Sequence, residues 1–192
     1  NAKAAGSSGT ARESASVGTW YGGNIPGTST AAANFSTNGS PSATPAGTGA
    51  TAIAGGTNRT FTEALLKTGL KKCYELGGNP DVVMMSASHK QLASAFSGVA
   101  TLYKNADDKT VIGAVDVYVS DFGEVSFVPN RHQQANRVDI LEMDKWEIAY
   151  LRPFQTKDLA SSGDNEKRLL LAEWTLVARS PNANYGIFNL TA

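Results

Sequence analysis

Cysteine is almost absent from this chain of 192 residues. Cys73 stands alone, so no internal disulfide can form and no cysteine-based metal site can be assembled. His89 and His132 are the only histidines. Surplus charge is missing as well: 17 Lys and Arg balance 17 Asp and Glu. That removes the positive excess which drives sequence-independent binding to phosphate backbones. Long apolar runs are also lacking. The stretches 82–85 and 169–171 are among the longest made of large apolar residues, far below the ~18 residues of a membrane helix, so no membrane partner is expected. Asn1 is not an initiator methionine, and the residues after it have no apolar core resembling a secretory signal. The front of the chain is therefore expected to be processed or incomplete.

Charge is absent from one whole segment. Residues 14–58 carry none, and 32 of these 45 residues are Gly, Ala, Ser or Thr, too few large side chains to offset the ordering entropy of a core of their own. Trp20, Tyr21, Ile25, Phe35 and Ile53 are spaced through the segment as anchors. The segment reads as an extended arm lying on other protein, with a flexible linker as the alternative. Residues 61–192 hold 14 basic and 16 acidic residues and form the globular part.

Within that part, Thr60-Phe-Thr-Glu63 has the spacing of a capping box and predicts a helix start. Leu66, Leu70, Cys73 and Tyr74 then recur at helical intervals on one face, and Gly77-Gly78 followed by Pro80 ends the helix. Asp81 to Met85 reads as a short buried strand, and Ser88-His-Lys-Gln91 as a second capping box. From Thr110 the period changes to two. Val111, Val115, Val117 and Val119 lead into the turn Asp121-Phe-Gly123 and a returning strand at 124–128, a β-hairpin. Further strands are predicted at 138–143 and 146–151, followed by a polar turn at 161–165. The alternation over 167–179 predicts one strand of roughly 40 Å, long for a small domain and suited to bridging subdomains.

No catalytic constellation emerges. Cys73 falls on the apolar helix face, where an unreactive core thiol is expected, and His89 is expected to face solvent from the first turn of its helix. His132 lies in a polar loop without an Asp or Glu at ligand spacing. Asp107, Asp108, Asp116, Asp121 and Glu124 do not follow a calcium-loop pattern. The glycines near 47–49 and 55–56 lack both the preceding strand and the Gly-Lys-Ser/Thr of a phosphate loop. Neither an enzyme nor a cofactor is expected. The sequons at Asn34, Asn58 and Asn189 carry little weight without a secretory route.

Several phrases occur in a telling order: Phe61-Thr-Glu-Ala-Leu-Leu, Gly77-Gly-Asn-Pro-Asp81, Val115-Asp-Val-Tyr-Val-Ser-Asp-Phe-Gly123, Val128-Pro-Asn-Arg131, Tyr150-Leu-Arg-Pro-Phe154, and Gly163-Asp-Asn-Glu-Lys-Arg168 before Glu173-Trp-Thr-Leu176. Over about residues 58–192 the chain resembles the major capsid proteins of tailed bacteriophages related to SU10. The resemblance implies an α+β fold of the HK97-like kind, with axial and peripheral subdomains. Residues 1–13 would be the end of a spine helix, 14–58 the arm or loop, 59–140 mostly axial subdomain, and 141–192 strands returning to the peripheral subdomain. The N-terminal arm, extended loop and most of the spine helix would lie outside this chain.

The same resemblance implies self-assembly through pentamers and hexamers into an icosahedral head around double-stranded DNA. Portal and decoration proteins would be partners, and DNA contact would be weak and nonspecific. Assembly would take place in the host bacterial cytoplasm, and the product would be the virion capsid. Balanced charge permits large complementary lateral contacts. Candidate interface residues are Trp20, Tyr21, Arg131, Arg152, Asp164, Glu166, Lys167 and Arg168, with simple solvation the plainer reading of the charged ones. Two alternatives compete: a phage decoration or adhesion module touching saccharide through Trp20, Tyr21 and Tyr185, and, third, a Cys-His hydrolase.

Overall fold

The computed structural model describes residues 2–9, 11–22, 34–40, 42–43, 45, 47–96, 117–160 and 163–191. Val111, Val115, Asp107, Asp108, Asp116 and Ile25 lie outside them. Among these residues the α-helices and strands follow in chain order: β1 (Phe35–Ser36), α1 (Glu63–Glu75), β2 (Val82–Met85), α2 (Ala87–Ser94), β3 (Val117–Ser120), β4 (Gly123–Pro129), β5 (Val138–Leu141), β6 (Trp146–Leu159), β7 (Lys167–Ala178) and β8 (Tyr185–Ile187). The fold is α+β. A mixed six-stranded sheet runs β1-β8-β5-β2-β4-β3, while β6 and β7 form a separate two-stranded antiparallel ribbon.

Helix α1 forms for the expected reason on its buried side. Leu66, Leu70 and Cys73 are fully or almost fully buried, and each of the two leucines is worth about 1.5–3 kcal/mol when buried. Its C-terminus is a Schellman motif: Gly78 N–H donates to Cys73 C=O at 2.8 Å and Gly77 N–H to Tyr74 C=O at 3.1 Å. Gly77 takes φ +82°, and Gly78 lies so close to Ala183 that a Cβ would meet its backbone at 2.6 Å. Tyr74, placed on the apolar face by spacing, is instead 63% exposed. It leans outward onto Phe122, with ring centroids 5.1 Å apart.

Both predicted capping boxes fail. The caps are Thr62 and Ser86, and neither side chain bonds back to the helix. Glu63 is drawn instead to Lys67 Nζ at 2.8 Å and to the Tyr118 hydroxyl, which donates to it at 3.0 Å. The two-position shift at α2, from Ser88 to Ser86, also moves His89. It is completely buried rather than facing solvent, with its ring against Phe61 at 5.7 Å and Nε2 2.6 Å from the Ala135 carbonyl.

The sheet is covered on both faces, which is why all four residues of β5 are buried. One face carries α1, α2 and the larger core, including Leu66, Leu70, Val83, Met85, Phe127, Ile140 and Ile187. The other face holds Tyr21, Leu141 and Phe188, packed by Val17, Phe35, Ile53, Met84 and Trp146. Val17, Tyr21, Phe35 and Ile53 belong to the charge-free segment, so these four residues lie on this chain's own sheet. An apolar, uncharged segment suits that role because the surface it covers is itself apolar. Within β3 the odd valines face outward: Val117 and Val119 are 41% and 49% exposed, while Tyr118 between them is buried.

Residues 2–9 and 11–13 form no helix. Ala4 and Glu13 pair as an antiparallel bridge and exchange both backbone hydrogen bonds at 3.1 Å. Gly6 and Gly9 with two serines between them are poor helix formers, and Gly6 takes φ +77°. The expected boundary at 140/141 is crossed as well, since β8 pairs with β5 inside the main sheet. What leaves the sheet is the ribbon.

Candidate assembly surface

The ribbon begins where β6 leaves a short 3-10 turn at Met143–Lys145. Its root is fixed by Asn184, which is completely buried. Asn184 Oδ1 accepts from the Trp146 indole at 2.9 Å and from the Glu142 amide at 2.8 Å, and its Nδ2 donates to the Ser180 carbonyl at 2.9 Å. On the other strand, Arg179 N–H donates to Lys145 C=O at 2.9 Å and the Arg179 guanidinium pairs with Glu147. Beyond this root the ribbon receives little cover. Every residue of β6 after Trp146 is exposed.

Register and alternation sort the ribbon into two faces. Pairing of Ile148 with Leu176, Tyr150 with Trp174 and Thr156 with Leu170 places these on one face. Ile148, Tyr150, Trp174 and Leu170 on that face are 52%, 53%, 54% and 65% exposed. The opposite face carries Glu147, Thr175, Leu171 and the Arg152–Glu173 ion pair at 3.4 Å. That side is touched by the arm: Ser14 Oγ lies 3.1 Å from Thr175 Oγ1 and accepts from the Leu176 amide at 3.3 Å. Two register shifts interrupt β6, between Tyr150 and Arg152 and between Arg152 and Gln155. They coincide with Leu151 at 73% and Phe154 at 66% exposure and with Pro153, which has no N–H to offer a ladder.

The candidate interface residues fall into different places. Arg152, Glu166 and Arg168 lie on or beside the ribbon and pair within the chain: Arg168 reaches Asp158 at 3.3 Å and Glu166 at 3.7 Å. Asp164 and Lys167 are exposed at the ribbon's turn, and Arg131 is exposed in a separate loop of the main body. Trp20 is half-buried beneath Lys3, whose Nζ sits 5.8 Å from the ring centroid.

Tyr21 is a correction. It is 0% exposed, and its hydroxyl donates to Asp139 Oδ1 at 3.0 Å, so it is a core residue that fastens the arm to β5. Asp139 is also held by Gln133 Nε2 at 2.6 Å and by Arg137 at 3.2 Å. Burial, then the negative charge of Asp139, pushes the Tyr21 hydroxyl well above its usual pKa. Period two explains the cluster: Val138 and Ile140 face the helices, which turns Asp139 and Leu141 toward the arm.

The chemistry weighed from sequence is not brought together here. Burial pushes the Cys73 thiol up to about 12, where thiolate is scarce at neutral pH. His89 is buried on Ala135, and His132 is exposed in its loop. Among the described residues no group of three or more His, Cys, Asp or Glu is placed to hold a metal ion. The saccharide reading needed Tyr21 and Tyr185 at the surface, and both are buried. Asn34, the first sequon, is likewise buried and donates to the carbonyls of Pro181 at 2.6 Å and Asn184 at 2.9 Å. No helix among the described residues is long and apolar enough to cross a membrane.

What the molecule does offer is a ribbon with exposed apolar side chains, rooted on a body whose sheet is covered on both faces. The model of the SU10 major capsid protein family matches residues 1–191. The chain belongs to that family. A search of curated proteins found no match. The match runs through the arm, sheet and ribbon alike, so it takes in the segment 14–58 that the motifs left aside. As a member of the SU10 major capsid protein family, the chain has a structural role in a phage capsid. The ribbon and its ordered root fit a capsid protein, in which surface left open on one subunit is covered in the assembly.

Proposed function

We propose that this capsid protein self-assembles, through pentamers and hexamers, into an icosahedral head enclosing a double-stranded DNA genome. The observation that carries the reading is the ribbon. A two-stranded hairpin is marginal in water on its own, yet this one exposes eight large apolar side chains along β6 and β7 within a chain of the capsid family. The arrangement is read as HK97-like, with the six-stranded body as the axial subdomain and the ribbon from Trp146 to Ala178 as the peripheral one. Residues 181–191 then go with the axial subdomain, because β8 pairs with β5.

Trp20, Arg131, Arg152, Asp164, Glu166, Lys167 and Arg168 are the residues we assign to subunit contacts. Arg152, Glu166 and Arg168 would act there as parts of pre-formed ion pairs. Portal and decoration proteins would complete the particle. Balanced charge makes contact with packaged DNA weak and nonspecific, and assembly takes place in the host bacterial cytoplasm. The test is to produce the protein together with the other head genes of its phage, then sediment the product and view it by electron microscopy. Closed shells are expected. A product that stays small and never closes would overturn the reading.

A further inference from the structure

Among the asparagines of this chain, Asn38 alone is followed by glycine. In such a pair the backbone nitrogen of the second residue can approach the asparagine side-chain amide with least obstruction, because glycine has no Cβ to hold it off. The local structure leaves that approach open. Gly39 is exposed, takes φ +78° and lies outside any helix or strand, and its N–H enters no hydrogen bond with the described residues. Asn38 is held on its other sides. Its N–H donates to Asn189 Oδ1 at 3.3 Å, its C=O accepts from the Thr57 amide at 3.0 Å, and its Nδ2 donates to the Thr57 carbonyl at 2.9 Å. The carbonyl carbon to be attacked is positioned, and the attacking nitrogen is unengaged and one peptide bond away.

The contacts of Asn38 close the neck of a loop. The chain leaves β1 at Ser36 and returns at Thr57, and Ala43 and Ala54 bridge farther out. Asn189 braces the neck from the C-terminal end: its Oδ1 takes the Asn38 amide, and its Nδ2 donates to the Gly55 carbonyl at 2.8 Å. A carboxylate in place of the Asn38 amide has no proton to give the Thr57 carbonyl and sets acceptor against acceptor. It would also be the first charge within residues 14–58, and it is ionised at neutral pH. An isoaspartyl link adds one carbon to the main chain between residues 38 and 39. Gly39 is then displaced from its seat beside Thr57, where even a Cβ would stand 3.3 Å from Thr57 Oγ1.

We propose that Asn38-Gly39 is a self-modification site, at which deamidation of Asn38 releases the neck of the 36–57 loop. The Gly39 nitrogen attacks Asn38 Cγ. A Cγ–N bond forms, the Cγ–Nδ2 bond breaks, and ammonia leaves with the Gly39 proton. Water then opens the five-membered imide at either carbonyl, giving isoaspartate or aspartate. Folded protein is kept at pH 8 and 37 °C for several weeks and digested with trypsin, which frees residues 13–59 as one peptide because no Lys or Arg lies between Arg12 and Arg59. Mass spectrometry should find the amide-to-acid mass gain at Asn38, with isoaspartate exceeding aspartate. Gly39→Ala should slow the gain about ten-fold, and reaction at the wild-type rate in that variant would refute the imide route. Asn38 intact in folded protein, but converted in guanidinium, would overturn the proposal, since the fold would then shield the pair. Equal conversion at Asn165, exposed and followed by Glu166, would also count against it. Because alanine is strained at φ +78°, the consequence is tested on the product itself. Asn38→Asp should speed hydrogen exchange several-fold in peptides covering Thr57, and unchanged exchange there would refute the release of the neck.

Discussion

Replacing Tyr21 with Phe removes one oxygen atom and isolates the hydrogen bond that fastens the arm to β5. The ring stays, so its edge contact with Phe188 at 5.8 Å and the cover it gives the sheet are kept. What is lost is a donor to a carboxylate that is 1% exposed. A hydrogen bond to a charged group is worth about 1.5–3 kcal/mol. Gln133 and Arg137 continue to hold Asp139, which places the loss toward the lower end, about 2 kcal/mol. For a chain of this size that lowers Tm by about 4–8 °C. Tyr21→Ala also opens a cavity and should cost about 3–5 kcal/mol.

The pH dependence separates this hydrogen bond from generic packing. The folded-state pKa of Tyr21 is raised above its ordinary value near 10. Its contribution is therefore complete below that value and is lost as the pH climbs toward the folded pKa. The expected slope is about 1.4 kcal/mol per pH unit for one such group. Tyr21→Phe should remove this slope, so the difference between variant and wild type should shrink above about pH 10. Denaturant unfolding of unassembled subunits at pH 7 and between pH 9 and 11 measures both effects. A Tyr21→Phe protein within about 0.5 kcal/mol of wild type at pH 7, with the same alkaline decline, would refute the reasoning.

Gly78 and Gly69 are expected to differ when changed to Ala. At Gly78 the new Cβ meets Ala183 backbone at 2.6 Å, whereas at Gly69 it meets the tip of Ile140 at 2.5 Å and the Tyr185 ring at 2.9 Å. Backbone cannot step aside, so Gly78→Ala should lose about 2–3 kcal/mol. At Gly69 a gain of about 1 kcal/mol in helix propensity offsets part of the strain. Equal losses in denaturant melts would contradict this. Because burial pushes the Cys73 thiol up to about 12, native protein at pH 8 should leave Ellman's reagent almost unreacted and release one thiol equivalent only in guanidinium; rapid reaction of the native protein would contradict the assigned burial.

The sequence by itself determined the elements whose signal is local. The spacing of Leu66, Leu70 and Cys73 specifies the buried side of α1, and Gly77 its end, because side-chain period and backbone freedom act within a few residues. The alternation over 167–179 likewise marks a long strand, and the ordered motifs mark the capsid family. It was silent wherever the outcome depends on what lies opposite. Nothing local to Asp139 in Val-Asp-Ile-Leu shows that the arm comes back across more than a hundred residues to cover it with Tyr21. Tyr74 has the right helical phase and still points outward, since the core on that side is closed before it. The strand predicted over 146–151 runs on to Leu159, bulging past Pro153, because β7 is there to pair with on the far side. The charge-free segment shows in its composition that it needs a surface to lie on. That the surface is this chain's own sheet, leaving the ribbon as the open face, is set by tertiary packing, because burial depends on neighbours that no local window of sequence contains.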